Sequence, residues 1–245
     1  MENEVDCYIL AGGAANRMWP FNVVMEKSLL PINGKPVVRH LVENLKKSPL
    51  IKNILIGVLD KFRPNFEHEF RDVPDIKIIS FPEPVGTAST VIDVIDNTGK
   101  FLLIHYADCV TDINYTDFIY TCLEHKKEWT DAIIAITNNV KHDYSEVVIN
   151  DKPYYGLYDV EAFYEKPKLP TWTWSGIALI NQLAFYNIWR LIGETYSDYQ
   201  DIATHIFPKM IEFKRLEAYA YNGVWWDVGN LNSYMKVVEM YKNKK

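Results

Sequence analysis

Short apolar runs recur along the chain at Val5 to Leu10, Asn53 to Leu59, Ile76 to Phe81, Phe101 to His105, Asp131 to Thr137 and Ile177 to Ile180, each with the length and branching of a strand. The stretches between them have helical spacing. Val37, Val38, Leu41, Val42 and Leu45 make one apolar helical face. Pro36 precedes that face, where a missing N–H costs nothing, and Lys46 and Lys47 stand at the end where a helix dipole favours cations. Strand and helix in alternation predict an α/β fold, a mostly parallel central sheet with helices on both faces. Lys141 to Thr173 breaks the rhythm with short aromatic segments and Pro153, Pro167 and Pro170. That section reads as a small inserted lobe of antiparallel strands, bounded at 141–176. No linker composition marks a boundary, so 1–245 reads as one domain.

Composition changes the picture in four ways. The chain is 48% apolar and 24% charged, with no apolar stretch near the ~20 residues a membrane helix needs, so the expectation is a soluble protein without a membrane partner. The acidic start, Met1 to Asp6, runs straight into a strand pattern with no export signal, which makes the cytoplasm the expected location. Cys7, Cys109 and Cys122 form no CxxC pair and read as reduced core thiols. A net charge of −6 argues against nucleic acid as the main partner, yet one basic pocket could still hold a small polyanion.

Familiar chemistries drop out on spacing. Gly12-Gly13 does not extend to GxGxxG, and no GxxxxGK[ST], GxSxG or HExxH occurs. What stands out is the stretch from Cys7 to Pro36. A strand delivers the chain into two adjacent glycines, whose missing side chains let backbone N–H groups approach a phosphate, and Arg17 and Lys27 follow with positive charge. Taken singly, each has a plainer reading: a chain turn, a solvated arginine, and a tight turn at Asn33-Gly34.

Taken together the residues resemble a family. LAGG-x-x-x-RM-x-P from Leu10, Lys27 ten residues after Arg17, and LLPINGKP resemble the signature of the sugar-1-phosphate nucleotidyltransferases, the nucleotide-sugar pyrophosphorylases. Glu83 to Ala88 is similar to that family's EPLGTA, Asp108 to Asp112 to its metal-aspartate strand end, Phe163 to Pro167 to its F-x-EKP, and Trp226 to Gly229 to its W-x-DIG, followed by a helix with Tyr234. The resemblance covers nearly the whole chain. It implies a Rossmann-like sheet of the nucleotide-diphospho-sugar transferase type and transfer of a nucleoside monophosphate from a triphosphate to a sugar-1-phosphate, releasing pyrophosphate. A sugar phosphate is already an anionic nucleophile, so positioning and charge neutralisation can carry such a reaction without a general base.

By this resemblance Arg17 and Lys27 hold the triphosphate and stabilise the transition state, and Lys166 holds the sugar phosphate. Asp108 and Asp227 bind Mg²⁺, a hard cation suited to carboxylate and phosphate oxygen. Leu10, Ala11, Gly12, Gly13, Glu83, Gly86 and Thr87 line the nucleotide, and Ser145, Glu165, Lys166, Trp174 and Gly176 line the acceptor. The nearest likeness is a short form of the mannose-1-phosphate guanylyltransferase or glucose-1-phosphate type. Only about one helix of sequence, Leu231 to Lys242, follows the last motif, so the expectation is no C-terminal β-helix and no second activity. Homo-oligomers occur among proteins of this kind, but the sequence marks no interface.

Departures from the family pattern fall in two places. Ala15 and Asn16 replace a glycine and a threonine of the G-x-G-T-R loop, Glu26 replaces the proline before the lysine, and Ala107 replaces a glycine. On the acceptor side, Tyr144-Ser145 stands for Tyr-Gly and Trp174-Ser175-Gly176 for Asn-Ala-Gly, which implies an altered acceptor. A cluster of tryptophans and tyrosines in that half admits phosphocholine as an alternative, held by cation–π attraction. A non-catalytic regulatory paralogue is the second alternative, disfavoured because all five charged residues are present. The molybdenum-cofactor guanylyltransferases, which share LAGG-x-x-x-RM, are rejected because their lysine follows the arginine more closely.

Overall fold

The computed structural model describes residues 4–96, 98–138, 146–149, 160–164, 171–193 and 200–242. The central sheet has seven strands: β1 (Val5–Ala11), β4 (Ile51–Leu59), β5 (Ile76–Phe81), β6 (Phe101–Tyr106), β8 (Ala132–Thr137), β11 (Thr173–Asn181) and β12 (Leu216–Ala220), in the order β12-β8-β11-β6-β1-β4-β5. Neighbours run parallel except at β11, which is antiparallel to both β6 and β8. Helices α1 (Val37–Leu45), α2 (Arg63–Glu69) and α4 (Tyr115–His125) cover one face, while α3 (Thr87–Ile95), α5 (Gln182–Gly193) and α6 (Phe207–Glu212) cover the other.

Both faces are buried, which explains the unbroken apolar runs. In β1, Cys7, Ile9 and Ala11 enter one core cluster and Tyr8 enters the opposite one, as the two-residue period of a strand requires. Helix α1 buries Val37, Val38, Leu41, Val42 and Leu45, the face read from the sequence. A third, smaller cluster of Ile32, Val37, Val110, Val228 and Val237 is closed by α7 (Leu231–Lys242). It fastens three short strands, β2 (Pro31–Ile32), β7 (Cys109–Thr111) and β13 (Trp225–Asp227), the last two pairing antiparallel. Strand β3 (Lys35–Pro36) pairs with β2 across the Asn33-Gly34 turn, where both residues have positive φ.

Two differences from the sequence pattern have physical causes. Strand β11 begins at Thr173 rather than Ile177, because a register shift between Trp174 and Ala178 keeps the chain paired with β8 through an irregular stretch. Strand β12 is half-exposed at the sheet edge and lacks the apolar run of a central strand. Between 138 and 171 the described residues form an antiparallel pair, β9 (Glu146–Ile149) with β10 (Val160–Tyr164), within the section read as an inserted lobe. Thr173 to Gly176, placed in that lobe by the sequence pattern, run instead in the central sheet. No helix among the described residues is long and apolar enough to cross a membrane, and all three cysteines are buried free thiols.

Candidate active site

The parallel strands β1 and β6 lie side by side with Leu10 opposite Tyr106, and the Ala107 N–H donates to the Leu10 carbonyl at 3.1 Å. The glycine loop after β1 and the acid after β6 therefore leave the sheet together at its carboxyl edge, the usual ligand crevice of an open α/β sheet. A Cβ on Gly13 would meet no protein atom within 4 Å, and one on Gly12 only ordinary contacts. The protein itself makes no steric demand for glycine at Gly13; the space is left for something else.

Beyond the glycines, Ala15 adopts a left-handed conformation (φ 51°, ψ 34°) and launches a 3₁₀ turn, Asn16–Met18, closed by the Met18 N–H to the Ala15 carbonyl at 2.8 Å. Ala15 holds the place of the missing third glycine, at a cost of roughly 1–2 kcal/mol for a left-handed alanine. Met18 is buried and anchors the turn, so Arg17 projects from it. A second 3₁₀ turn, Lys27–Leu29, carries Lys27. Its N-cap is Glu26, whose Oε2 accepts from the Ser28 N–H at 2.6 Å and from the Ser28 hydroxyl.

The two aspartates meet through the β7–β13 ladder, in which Asp227 pairs with Cys109, next to Asp108. The Val228 N–H donates to the Asp108 carbonyl at 2.8 Å, and the Gly229 N–H to Asp227 Oδ1 at 2.6 Å. The Lys27 ammonium is ion-paired to Asp108 Oδ2. Gly229 shows how closely the set converges: a Cβ there would lie 2.7 Å from Asp227 Oδ1, 3.0 Å from Arg17 Nη2 and 3.1 Å from Asp108 Oδ2. Arg17, Lys27, Asp108 and Asp227, from four separate segments, thus surround one small space.

Charge and burial act together there. Burial raises the Asp227 carboxyl above its ordinary value, and the charge of Asp108 raises it further, against the Gly229 N–H, Arg17 and Lys27. Burial pulls the Lys27 ammonium down, but Asp108, with help from Glu26 and Asp227, outweighs it and holds the group protonated. Two carboxylates brought this close favour an added cation between them, and two cations beside them favour an anion. Beneath the site, His105 is fully buried between the Tyr106 carbonyl at 2.7 Å and the Tyr115 hydroxyl at 2.9 Å, and burial lowers it to about 4. It is neutral and holds the strand end; it is no proton carrier. Burial raises the Cys109 thiol, so that sulfur is no nucleophile.

The other sequence-derived residues divide. Gly86 has φ +87° and a Cβ there would lie 2.4 Å from the Gln200 carbonyl oxygen, so glycine is required by the fold itself. Thr87 gives both its N–H (3.1 Å) and its hydroxyl (3.0 Å) to Asp201 Oδ1, and the Ile202 N–H returns to its hydroxyl at 3.0 Å. Its polar groups are committed to the scaffold at the start of α3. Glu83 is exposed in the loop after β5. Gly176 (φ +79°) packs its bare Cα against Cys109 Sγ and Tyr106 Cβ, each 3.2 Å from where a Cβ would sit, next to Asp108. Trp174, half-buried, gives its indole N–H to the Ile177 carbonyl at 2.9 Å and stands edge-on to Tyr106 and Phe207 at 5.3 and 5.1 Å. Ser145, Glu165 and Lys166 lie outside the described residues. Sequence reasoning missed two contributors. Asp201 had no local signal, being a helix cap supplied from a distant segment. Gly229 had one, as the glycine closing the W-x-DIG resemblance, but its role as the gap through which charged groups meet needed coordinates.

Comparison with known proteins gives the family. The sequence profile described as "Nucleotidyl transferase" matches residues 7–244. The chain belongs to the nucleotidyl transferase family. It is 26% identical over 243 residues to mannose-1-phosphate guanylyltransferase 1 of Arabidopsis thaliana, covering 95% of this chain and 63% of that protein. It is 25% identical over 265 residues to glucose-1-phosphate adenylyltransferase of Clostridium perfringens, with 95% and 63% covered. The chain therefore spans under two thirds of the length of these curated relatives. Among solved structures, HddC from Yersinia pseudotuberculosis complexed with GMP-PN superposes with a TM-score of 0.69 at 21% identity, covering 97% of this chain and 99% of that one. That likeness is one of fold, and it agrees with the mostly parallel sheet read from the sequence.

Proposed function

We propose that this nucleotidyl transferase moves a nucleoside monophosphate from a nucleoside triphosphate to a sugar-1-phosphate, giving a nucleoside-diphosphate sugar and pyrophosphate. The observation that carries this reading is the convergence of Arg17, Lys27, Asp108 and Asp227 on the space beside Gly229. Nucleotidyl transfer crowds anionic oxygens around one phosphorus, so the protein's task is charge placement. Arg17 and Lys27 bind the phosphates and stabilise the charge that moves onto the departing pyrophosphate. The Gly12-Gly13 backbone cradles the nucleotide's phosphate end. The acceptor phosphate is its own nucleophile, which suits a site where His105, three residues before Asp108, is buried and neutral.

The donor set fits a hard divalent cation. The described residues contain no group of three or more candidate metal ligands, and Mg²⁺ uses one or two carboxylates while taking its other oxygens from phosphate and water. Asp108 and Asp227 would hold it. When bound, such an ion supplies Lewis-acid stabilisation of the phosphate charge. Lys27, paired to Asp108 here, would be available to phosphate were Asp108 to hold the ion.

The acceptor role belongs, on this reading, to Gly176, Trp174 and the 141–176 segment with Ser145, Glu165 and Lys166. The packing of Trp174 weighs against an aromatic cage for phosphocholine and favours a sugar phosphate, since the ring is held at its N–H and met edge-on by its neighbours. The intact charge set favours catalysis over a purely regulatory role. The test is a matrix of four nucleoside triphosphates against phosphorylated hexoses and phosphocholine, with Mg²⁺, read as pyrophosphate release. One or more sugar-1-phosphates should release pyrophosphate; release with phosphocholine alone, or with no acceptor, would replace this reading. Asp108→Asn and Asp227→Asn should each cut turnover by at least about 10³-fold while keeping the wild-type circular dichroism spectrum.

A further inference from the structure

Glu26 is a buried ionisable group next to the site that the proposed chemistry leaves unused. It is 1% exposed. One carboxylate oxygen caps the turn that carries Lys27, through the Ser28 N–H and hydroxyl, while Oε1 is buried with no hydrogen-bond partner. A carboxylate oxygen without a donor in the interior costs free energy, so its retention calls for a reason beyond capping, which Ser, Thr or Asn perform more cheaply. The charged groups that face it are Lys27 on its own turn and Asp108 beyond the end of β6.

We propose, resting on the nucleotidyl-transfer reading, that Glu26 is a positioning residue whose negative charge sets how strongly the Lys27 ammonium is available to phosphate. The Lys27 ammonium is ion-paired with Asp108, and the charge of the adjacent buried Glu26 also acts on it. With Glu26 ionised, the field that Lys27 presents to an incoming triphosphate is partly cancelled, and triphosphate binding is weaker. With Glu26 neutral, Lys27 acts at full strength. Burial raises the Glu26 carboxyl to about 7, against the opposing effects of Ser28 and Lys27, so the change falls in the neutral range. At an effective dielectric constant near 20, a unit charge about 10–12 Å from a bound phosphate is worth on the order of tenfold in anion affinity.

The experiment compares wild type, Glu26→Gln and Ser28→Ala by two readouts. Glu26→Gln keeps an acceptor for Ser28 and removes the charge; Ser28→Ala weakens the turn and keeps the charge. First, in the ligand-free protein, acylation of Lys27 by an amine-reactive reagent is followed by mass spectrometry from pH 6 to 9. Glu26→Gln should speed Lys27 labelling at least threefold at pH 8, because the buried negative charge next to the amine is gone, and Ser28→Ala should stay within twofold of wild type. Second, the dissociation constant of a nonhydrolysable nucleoside triphosphate should be about tenfold lower in Glu26→Gln than in wild type at pH 8 and equal at pH 6. Unchanged labelling in Glu26→Gln, or equal labelling in both variants, overturns the proposal whether or not the protein proves active. Pyrophosphate release by wild type, assayed in parallel, decides the nucleotidyl-transfer reading separately.

Discussion

At the level of single residues, the account turns on where a methyl group cannot go and where a charge cannot be solvated. Gly229→Ala would place a Cβ within 2.7–3.1 Å of Asp227 Oδ1, Arg17 Nη2 and Asp108 Oδ2 and force the charged groups apart. We expect turnover to fall at least about 100-fold with a stability loss of only 1–3 kcal/mol, a split measurable by pyrophosphate release and urea unfolding on one preparation. Ala15 points the other way. Ala15→Gly removes left-handed strain and adds unfolded-state entropy, so stability should change by less than about 1 kcal/mol, toward stabilisation, with Tm as the readout. Glu26 carries a signed pH dependence. Its folded carboxyl lies near 7 against an ordinary 4.5, so the unfolded chain binds fewer protons between those values and stability falls as pH rises through that window. Glu26→Gln should therefore gain stability over wild type from pH 5 to pH 8, approaching about 3 kcal/mol. A gap that stays constant with pH would contradict the burial argument.

At the level of elements, what matters is which segment satisfies which end. Helix α3 begins at a glycine pressed onto the Gln200 backbone and takes its cap from Asp201, more than a hundred residues later, which locks Thr87 into the scaffold. Asp201→Ala should cost about 1–2 kcal/mol by urea unfolding and loosen the start of α3, whereas an exposed acid such as Glu212, at the surface end of α6, should cost under 0.5 kcal/mol. This level also shows what a sequence can display. The six apolar runs and the five-residue face of α1 were legible because both faces of a parallel sheet are buried and periodicity records burial. Strand β12 was not, because its five residues are only partly buried or exposed and Glu217 interrupts their apolar character. The bulge in β11 was hidden as well: a positive φ at Gly176 and a register shift are set by its neighbours β6 and β8, not by local composition.

At the level of the whole molecule, topology turns distant motifs into one site. The register of β1 on β6 brings the glycine loop to Asp108, the β7–β13 ladder brings Asp227 to the same point, and the cluster closed by α7 holds that ladder in place. The charged residues were legible in the sequence by resemblance, since reaction chemistry restricts them to few residue types. The surroundings of the acceptor candidates were less so: the Trp174 indole N–H meets the Ile177 carbonyl and its ring meets Tyr106 edge-on, contacts that no local pattern announces. The central claim is that Arg17, Lys27, Asp108 and Asp227 serve one polyphosphate. Calorimetric titration of a nonhydrolysable nucleoside triphosphate tests it most directly, run with Mg²⁺ and again with EDTA on wild type, Arg17→Ala, Lys27→Ala, Asp108→Asn, Asp227→Asn and the exposed control Lys35→Ala. With Mg²⁺ all four site variants should lose at least about tenfold in affinity and the control none; in EDTA the two aspartate variants should bind at least as well as wild type, because removing a negative charge then only helps the anion. Aspartate variants that bind like wild type with Mg²⁺, or that weaken equally in EDTA, would contradict the account.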